Sequence, residues 1–204
     1  TEGEYSSFLL RFDQQYIFQD TYATGMIYQL LSYDEQLNLN WSYRAGREKT
    51  ARTFLYPNFH QKDNFFHMLH YDEGTIYHLV LDLNTGKEMI KEKLLVKDDY
   101  ATPPRHPEPY EEIIWGENQS FLIHSVQNEL MISAFMWDKH HLVLSDQFKY
   151  QLPENTYPYS RIVFNGLKKQ GNHLIIPVQL GEQKTGREFG NSYYEWYESR
   201  LLVY

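Results

Sequence analysis

Residues Tyr71 to Met89, Y-D-E-G-T-I-Y-H-L-V-L-D-L-N-T-G-K-E-M, carry the pattern that most constrains the fold. One strand runs into a tight turn at Asp72-Glu73-Gly74. A second strand spans Thr75 to Leu83, and a second turn at Asn84-Thr85-Gly86 starts a third. Glycine closes each turn because, lacking Cβ, it enters positive φ without a steric clash. Strands joined by turns this short can only lie side by side and antiparallel.

Weaker copies of this meander fill the rest of the chain. Residues 5–45 read as S-F-L-L-R-F, Q-Y-I-F-Q-D-T-Y, G-M-I-Y-Q-L-L-S-Y and Q-L-N-L-N-W-S-Y-R, broken at Asp13-Gln14, Ala23-Thr24-Gly25 and Asp34-Glu35. Apolar and polar residues alternate from Leu37 to Tyr43, the period of a half-buried strand. Residues 53–97 supply Thr53–Tyr56, Asn64–His70, Thr75–Leu83 and Glu88–Val96, and two further units follow at about 110–152 and 160–204. Equivalent second strands begin near Tyr16, Phe65, Phe121 and Leu174, at intervals of 49, 56 and 53 residues. Between the second and third units, residues 97–110 hold four prolines and no periodicity, which predicts a long irregular loop. No window sustains the three-and-four spacing of a helix. The expected fold is therefore all-β, a single domain over 1–204 built as a propeller-like array of about four antiparallel four-stranded sheets. An open β-sandwich of the same strands is the alternative. The last unit supplies three strands, so closure needs Ser6–Phe12 or a polypeptide that continues past Tyr204.

Glu73-Gly74-Thr75-Ile76-Tyr77, Leu81-Asp82 and Thr85-Gly86-Lys87 together resemble the repeat of quinoprotein-like and related β-propeller families, D-G-x-[IL]-Y-x-[LV]-D-x-x-T-G-K. Met26-Ile27-Tyr28 and Leu130-Met131-Ile132 keep the apolar core of that repeat without its T-G-K turn. The resemblance implies a blade-like fold and says little of activity, because turn and core are what a blade needs whatever it binds. The regularly placed tryptophan-docking motifs of the cofactor-binding members are missing from the sequence, so no cofactor is expected.

Composition narrows the function classes. The net charge of -8 argues against nucleic acid and anionic lipid, both of which need clustered Lys and Arg. With no cysteine, disulfides, thiolate metal sites and cysteine nucleophiles are excluded, and the absence tilts the compartment towards export. No apolar run reaches the ~18 residues of a membrane helix. The start at Thr1-Glu2-Gly3-Glu4 reads as a cut edge, that of a processed protein or of a piece of a longer one.

Candidate chemistry is sparse. His67 and His70 have a helical ligand spacing, but on a strand they point to opposite faces, and His140-His141 diverge as neighbours on extended chain. His78 shares a face with Ile76 and reads as partly buried or packed across strands. No metal site is expected. Paired carboxylates among Asp34-Glu35, Asp98-Asp99, Glu111-Glu112, Glu195 and Glu198 would suit a glycosidase, although most sit in turns where local backbone amides engage them. G-x-S-x-G, phosphate-loop and dinucleotide fingerprints are all absent.

Aromatic residues make up 17% of the chain and cluster late. Tyr157, Tyr159, Tyr194 and Trp196, with Tyr100 and Tyr110 bracketing the proline loop, are the candidate binding residues: either they fill a strand buried on both sides, or they form an exposed platform. The expected function is a non-enzymatic binding or sensing domain, extracellular or at the cell surface. It would recognise a protein, peptide or glycan as the exposed part of a membrane-anchored sensor or transporter. A carbohydrate-active hydrolase is the alternative, and a scaffold within a larger enzyme a third.

Overall fold

The computed structural model describes residues 5–21, 27–46, 53–96, 110–126, 129–151, 160–164, 168–170, 173–185 and 192–203. All regular structure among them is β-strand, every pairing is antiparallel, and no helix is long and apolar enough to cross a membrane. Two compact units emerge: residues 1–102 with Lys139–His141, and residues 103–138 with 142–204.

The first unit holds two meanders. β1 (Tyr5–Phe12), β2 (Gln15–Thr21), β3 (Ile27–Tyr33) and β4 (Leu39–Arg44) form one, and β5 (Thr53–Lys62), β6 (Phe65–Asp72), β7 (Thr75–Asp82) and β8 (Glu88–Val96) the other. The turn chemistry is as the sequence demands. Glu73 and Gly74 take φ of 42° and 93°, and Gly86 takes 67°. The β6–β7 hairpin therefore pairs without slippage, from Asp72↔Thr75 to Phe65↔Asp82, and β8 extends it into one continuous meander.

Both faces of β6 and β7 are buried, which explains their nearly unbroken apolar run. On one face Phe66, Met68, Leu79 and Leu81 join Ile17, Ile27, Leu30, Trp41, Leu55 and Leu83 in the core. Each such side chain removed from water contributes roughly 2 kcal/mol. Trp41 crosses from β4 to the second meander. Its indole Nε1–H donates to Leu83 O at 2.9 Å, and its ring lies over Gly86, where a Cβ would come within 2.5 Å of Cε3.

Here the propeller expectation is corrected, together with the family resemblance drawn from residues 71–89. A ring of four separate four-stranded sheets is not what the described residues form. The strands of the first two expected units join into one eight-stranded sheet, linked by the single bridge Ile27↔Leu55 between β3 and β5. Repeat spacing records the length of each meander, whereas the joining of meanders depends on which edge meets which, a long-range matter. The T-G-K turn reports hairpin chemistry alone: Asp82 Oδ1 accepts the Asn84 and Thr85 amides at 2.8 and 3.1 Å, and Gly86 N–H donates to Asp82 O at 2.8 Å.

The second unit contains two sheets. β9 (Tyr110–Ile114), β10 (Gln119–Val126), β11 (Glu129–Asp138) and β12 (His141–Gln151) lie in the order β12-β11-β10-β9. In the other sheet, β13 (Ser160–Phe164) and β14 (Lys168–Gln170) run along β15 (His173–Thr185), which also pairs β16 (Ser192–Val203). Phe121, Ile123, Leu130, Ile132 and Ala134 share one core cluster with Ile176 and Val178 of β15.

Candidate functional site

Chemistry gathers on the face of β5–β8 opposite the leucine-rich core. The hairpin register sets Leu69 opposite His78, which makes His67 the diagonal neighbour of His78. The two rings stack at 5.3 Å with an interplanar angle of 14°, and His67 Nδ1 lies 3.0 Å from His78 Nε2. His78 in turn sits opposite Glu92 of β8, with Nδ1 2.7 Å from Oε1. A β-bulge makes that pairing: continuing the Leu81↔Glu88 register without the shift after Val80 would set His78 against Lys91, an ammonium in place of a carboxylate.

Residues Lys139–His141 complete the cluster. Lys139 turns at φ 57°. The His140 ring then lies 4.4 Å from Phe65 and 5.7 Å from His67, at 25° to the latter. His141 Nδ1 reaches Glu92 Oε2 at 2.9 Å. Glu92 thus bridges a fully buried imidazole and one whose side chain is 53% exposed. His60 flanks the group, 6.1 Å from His67.

The carboxylate fixes the tautomers. An ionised carboxylate only accepts, so His78 and His141 each donate from Nδ1. Neutral His78 must then accept at Nε2, and His67 donates to it from Nδ1, which makes His67 Nε2 the lone-pair nitrogen at the inner end. Burial, reinforced by His78, His140, His60 and Lys62, pushes the His67 pKa down to about 3. Burial lowers that of His78 as well, against the pull of Glu92. At neutral pH the chain is one of neutral rings ending on a carboxylate, able to pass a proton along its length.

His70 faces the other way, as the strand period requires, with its ring 6.1 Å from Tyr77. Neither ring nitrogen makes a hydrogen bond of normal geometry, and burial pushes its pKa down to about 4. No group of three or more His, Asp or Glu among the described residues could hold a metal ion.

The aromatic residues singled out from the sequence fare differently. Tyr100, Tyr157 and Tyr159 lie outside the described residues. Tyr110 is placed in β9 opposite Ser125, Tyr194 in β16 opposite Gln183, and Trp196 opposite Gly181; their side chains lie outside the description. Of the carboxylates, Glu112 sits in β9 opposite Ile123, and burial pushes its pKa up. Sequence reasoning read His78 as partly buried or packed across strands and missed the hydrogen-bonded chain it belongs to. The register of the Asp72–Thr75 turn was the signal that joins it to His67.

No family model matches this chain, and no curated protein matches it. A crystal structure of a protein from Bacteroides ovatus ATCC 8483, provisionally named a hydrolase, matches over 97% of this chain with a TM-score of 0.43 and 9% identity. The chain spans 61% of that protein's length. Likeness at that level supports no statement about fold or activity.

Proposed function

We propose that this chain is a non-enzymatic binding or sensing domain that works outside the cytoplasm, at the cell surface, and recognises a protein, peptide or glycan. The observation that carries this reading is the composition of β12, an edge strand with apolar side chains exposed on both faces. Val143 is 51% and Leu144 54% exposed, and Phe148 follows on the Leu144 face at 38%. A strip of that kind is costly to leave in water and fits an apolar peptide or protein surface. The antiparallel sheets also fit an open β-sandwich arrangement.

A displayed peptide library and a glycan array, screened against the intact protein, test the proposal. Selected ligands should lose at least tenfold in affinity to Val143→Lys and Leu144→Lys, each a loss of about 1.4 kcal/mol or more. Ligands that bind both variants unchanged would remove β12 from the recognition surface.

Glu112 is the observation that favours the second reading, a carbohydrate-active hydrolase. Its raised pKa is the direction a general acid needs. Its partner would come from Glu111, Glu195 or Glu198, whose side chains lie outside the described residues. Glycoside turnover that collapses on substituting Glu112 and one of these would establish it against the binding reading.

A further inference from the structure

We propose that the outward face of β1–β4 docks a proline-rich peptide in the polyproline II conformation, with a basic residue of that peptide set against the end of the meander that carries Asp13, Asp34 and Glu35. This face uses no residue of β12, so it stands or falls apart from the binding surface described above.

Strand period and one bulge build the face. Ile17 and Leu30 point into the core, so Tyr16, Phe18, Leu31 and Tyr33 point away from it. Phe8 lies opposite Phe18, and Arg11 opposite Tyr16, which puts both on the outward side. On an unbroken strand Phe8 and Arg11 would face opposite ways. The register shift between Phe8 and Leu10 removes that conflict: Leu9 and Leu10 both pack against the core, and Phe8 is turned out to 55% exposure. Across the meander Leu39 of β4 lies opposite Tyr33 and is 55% exposed.

Leu37 is a second, independent observation. Of the described non-glycine residues at positive φ it alone is apolar, at 64°, and it is 72% exposed. Asp34 holds it there. Its Oδ1 accepts the Gln36 and Asn38 amides at 2.9 and 2.8 Å, its Oδ2 accepts Asn38 Nδ2 at 2.9 Å, and its backbone O accepts the Leu37 amide at 3.1 Å. A strained backbone that keeps leucine in water gains nothing for the fold, and it suits a residue held ready for a partner.

The rings decide the kind of partner. Phe8 and Tyr33 meet Phe18 at 75° and 82°, with centroids 5.8 and 5.7 Å away. Rings at nearly right angles present ridges, not the single plane on which the flat face of a sugar stacks. Ridges suit a polyproline II helix, a stiff spiral of three residues per turn that docks on aromatic surfaces. Its carbonyls have no internal hydrogen bonds, and the hydroxyls of Tyr16 and Tyr33, opposite one another across β2 and β3, are donors for them. Charge selects the flank. Arg11 is fixed at the turn end by Asp13 O at 3.3 Å, Glu35 Oε1 at 3.2 Å and the Tyr16 ring 5.4 Å beneath it. Against that one guanidinium stand the carboxylates of Asp13, Asp34 and Glu35, a surplus of acid that complements a Lys or Arg beside the prolines.

Amide NMR of the intact chain, titrated with an oligoproline flanked by arginines, tests the proposal. Saturable shifts should map to β1–β4, and affinity should fall at least tenfold when glutamates replace the arginines or when Phe8→Ser removes the outermost ring. Leu37→Gly should weaken binding without lowering the urea midpoint, because glycine adopts φ 64° freely; a residue that served only the fold would lower it. Should Phe8→Ser fail to fold, the wild-type shift map and Leu37→Gly decide. No shifts at saturating peptide, shifts confined to β12, equal affinity for the glutamate-flanked peptide, or unchanged affinity in Leu37→Gly would overturn the proposal. So would self-association through these amides, or a glycan that shifts them where the peptide does not.

Discussion

Replacing Gly86 by alanine places a methyl group where the structure has no room for one. At φ 67° an L-residue costs about 1 kcal/mol. The added Cβ would stand 2.5, 2.6 and 2.9 Å from Cε3, Cδ2 and Cγ of Trp41, against about 3.5–4.0 Å for a normal carbon contact, so the indole must retreat by about 1 Å. Overpacking of this kind costs about 1–3 kcal/mol. Retreat also stretches the 2.9 Å bond from Nε1 to Leu83 O, worth about 1 kcal/mol. Gly86→Ala should therefore lose about 3–5 kcal/mol, with Gly86→Val at or beyond the upper end. Urea unfolding followed by circular dichroism measures this directly. In a Trp41→Ala background the clash disappears and only the turn strain of about 1 kcal/mol should persist. An unchanged midpoint for Gly86→Ala would refute the whole account; an equal loss in both backgrounds would refute the part assigned to Trp41.

Stability should fall on acidification ahead of the carboxylates. His67 and His70 have folded pKa values of about 3 and about 4, below the unfolded value near 6.5, so the unfolded chain binds more protons at acid pH. Their contribution is complete above about pH 6.5 and is lost as pH falls towards 4 for His70 and 3 for His67, at about 1.4 kcal/mol per pH unit for each. Urea midpoints at pH 7.5, 6.0 and 5.0 should show about 4 kcal/mol lost by pH 5.0; a flat profile would place both rings in contact with water. Asp82→Ala removes the acceptor of the Asn84 and Thr85 amides and should cost about 1 kcal/mol, with amide exchange at both positions accelerated. Unaltered exchange there would mean that the backbone holds this turn unaided.

Local chemistry made much of this protein legible in advance. The E-G and T-G-K turns specify their hairpins because glycine at positive φ is a property of the residue, and period-two alternation names strands without reference to anything distant. The all-β class and the meander of residues 64–96 follow from these alone. Even the His67–His78 diagonal is implicit in the Asp72–Thr75 turn, since a short hairpin fixes every later partner on its two strands.

What the sequence could not decide depends on shifts and meetings that leave no local mark. One bulge after Val80 exchanges Lys91 for Glu92 opposite His78, and with it the sign of the charge that completes the chain. His140 and His141 join from a distant part of the chain, His141 from 49 residues beyond Glu92 and His140 from farther still beyond His67. Trp41 finds Gly86, and the bridge Ile27↔Leu55 merges two meanders that equal spacing had set apart. Turns are encoded by residues next to one another; the joining of sheet edges and the convergence of imidazoles are encoded only by the balance of long-range packing, and that balance exists only once the chain has folded.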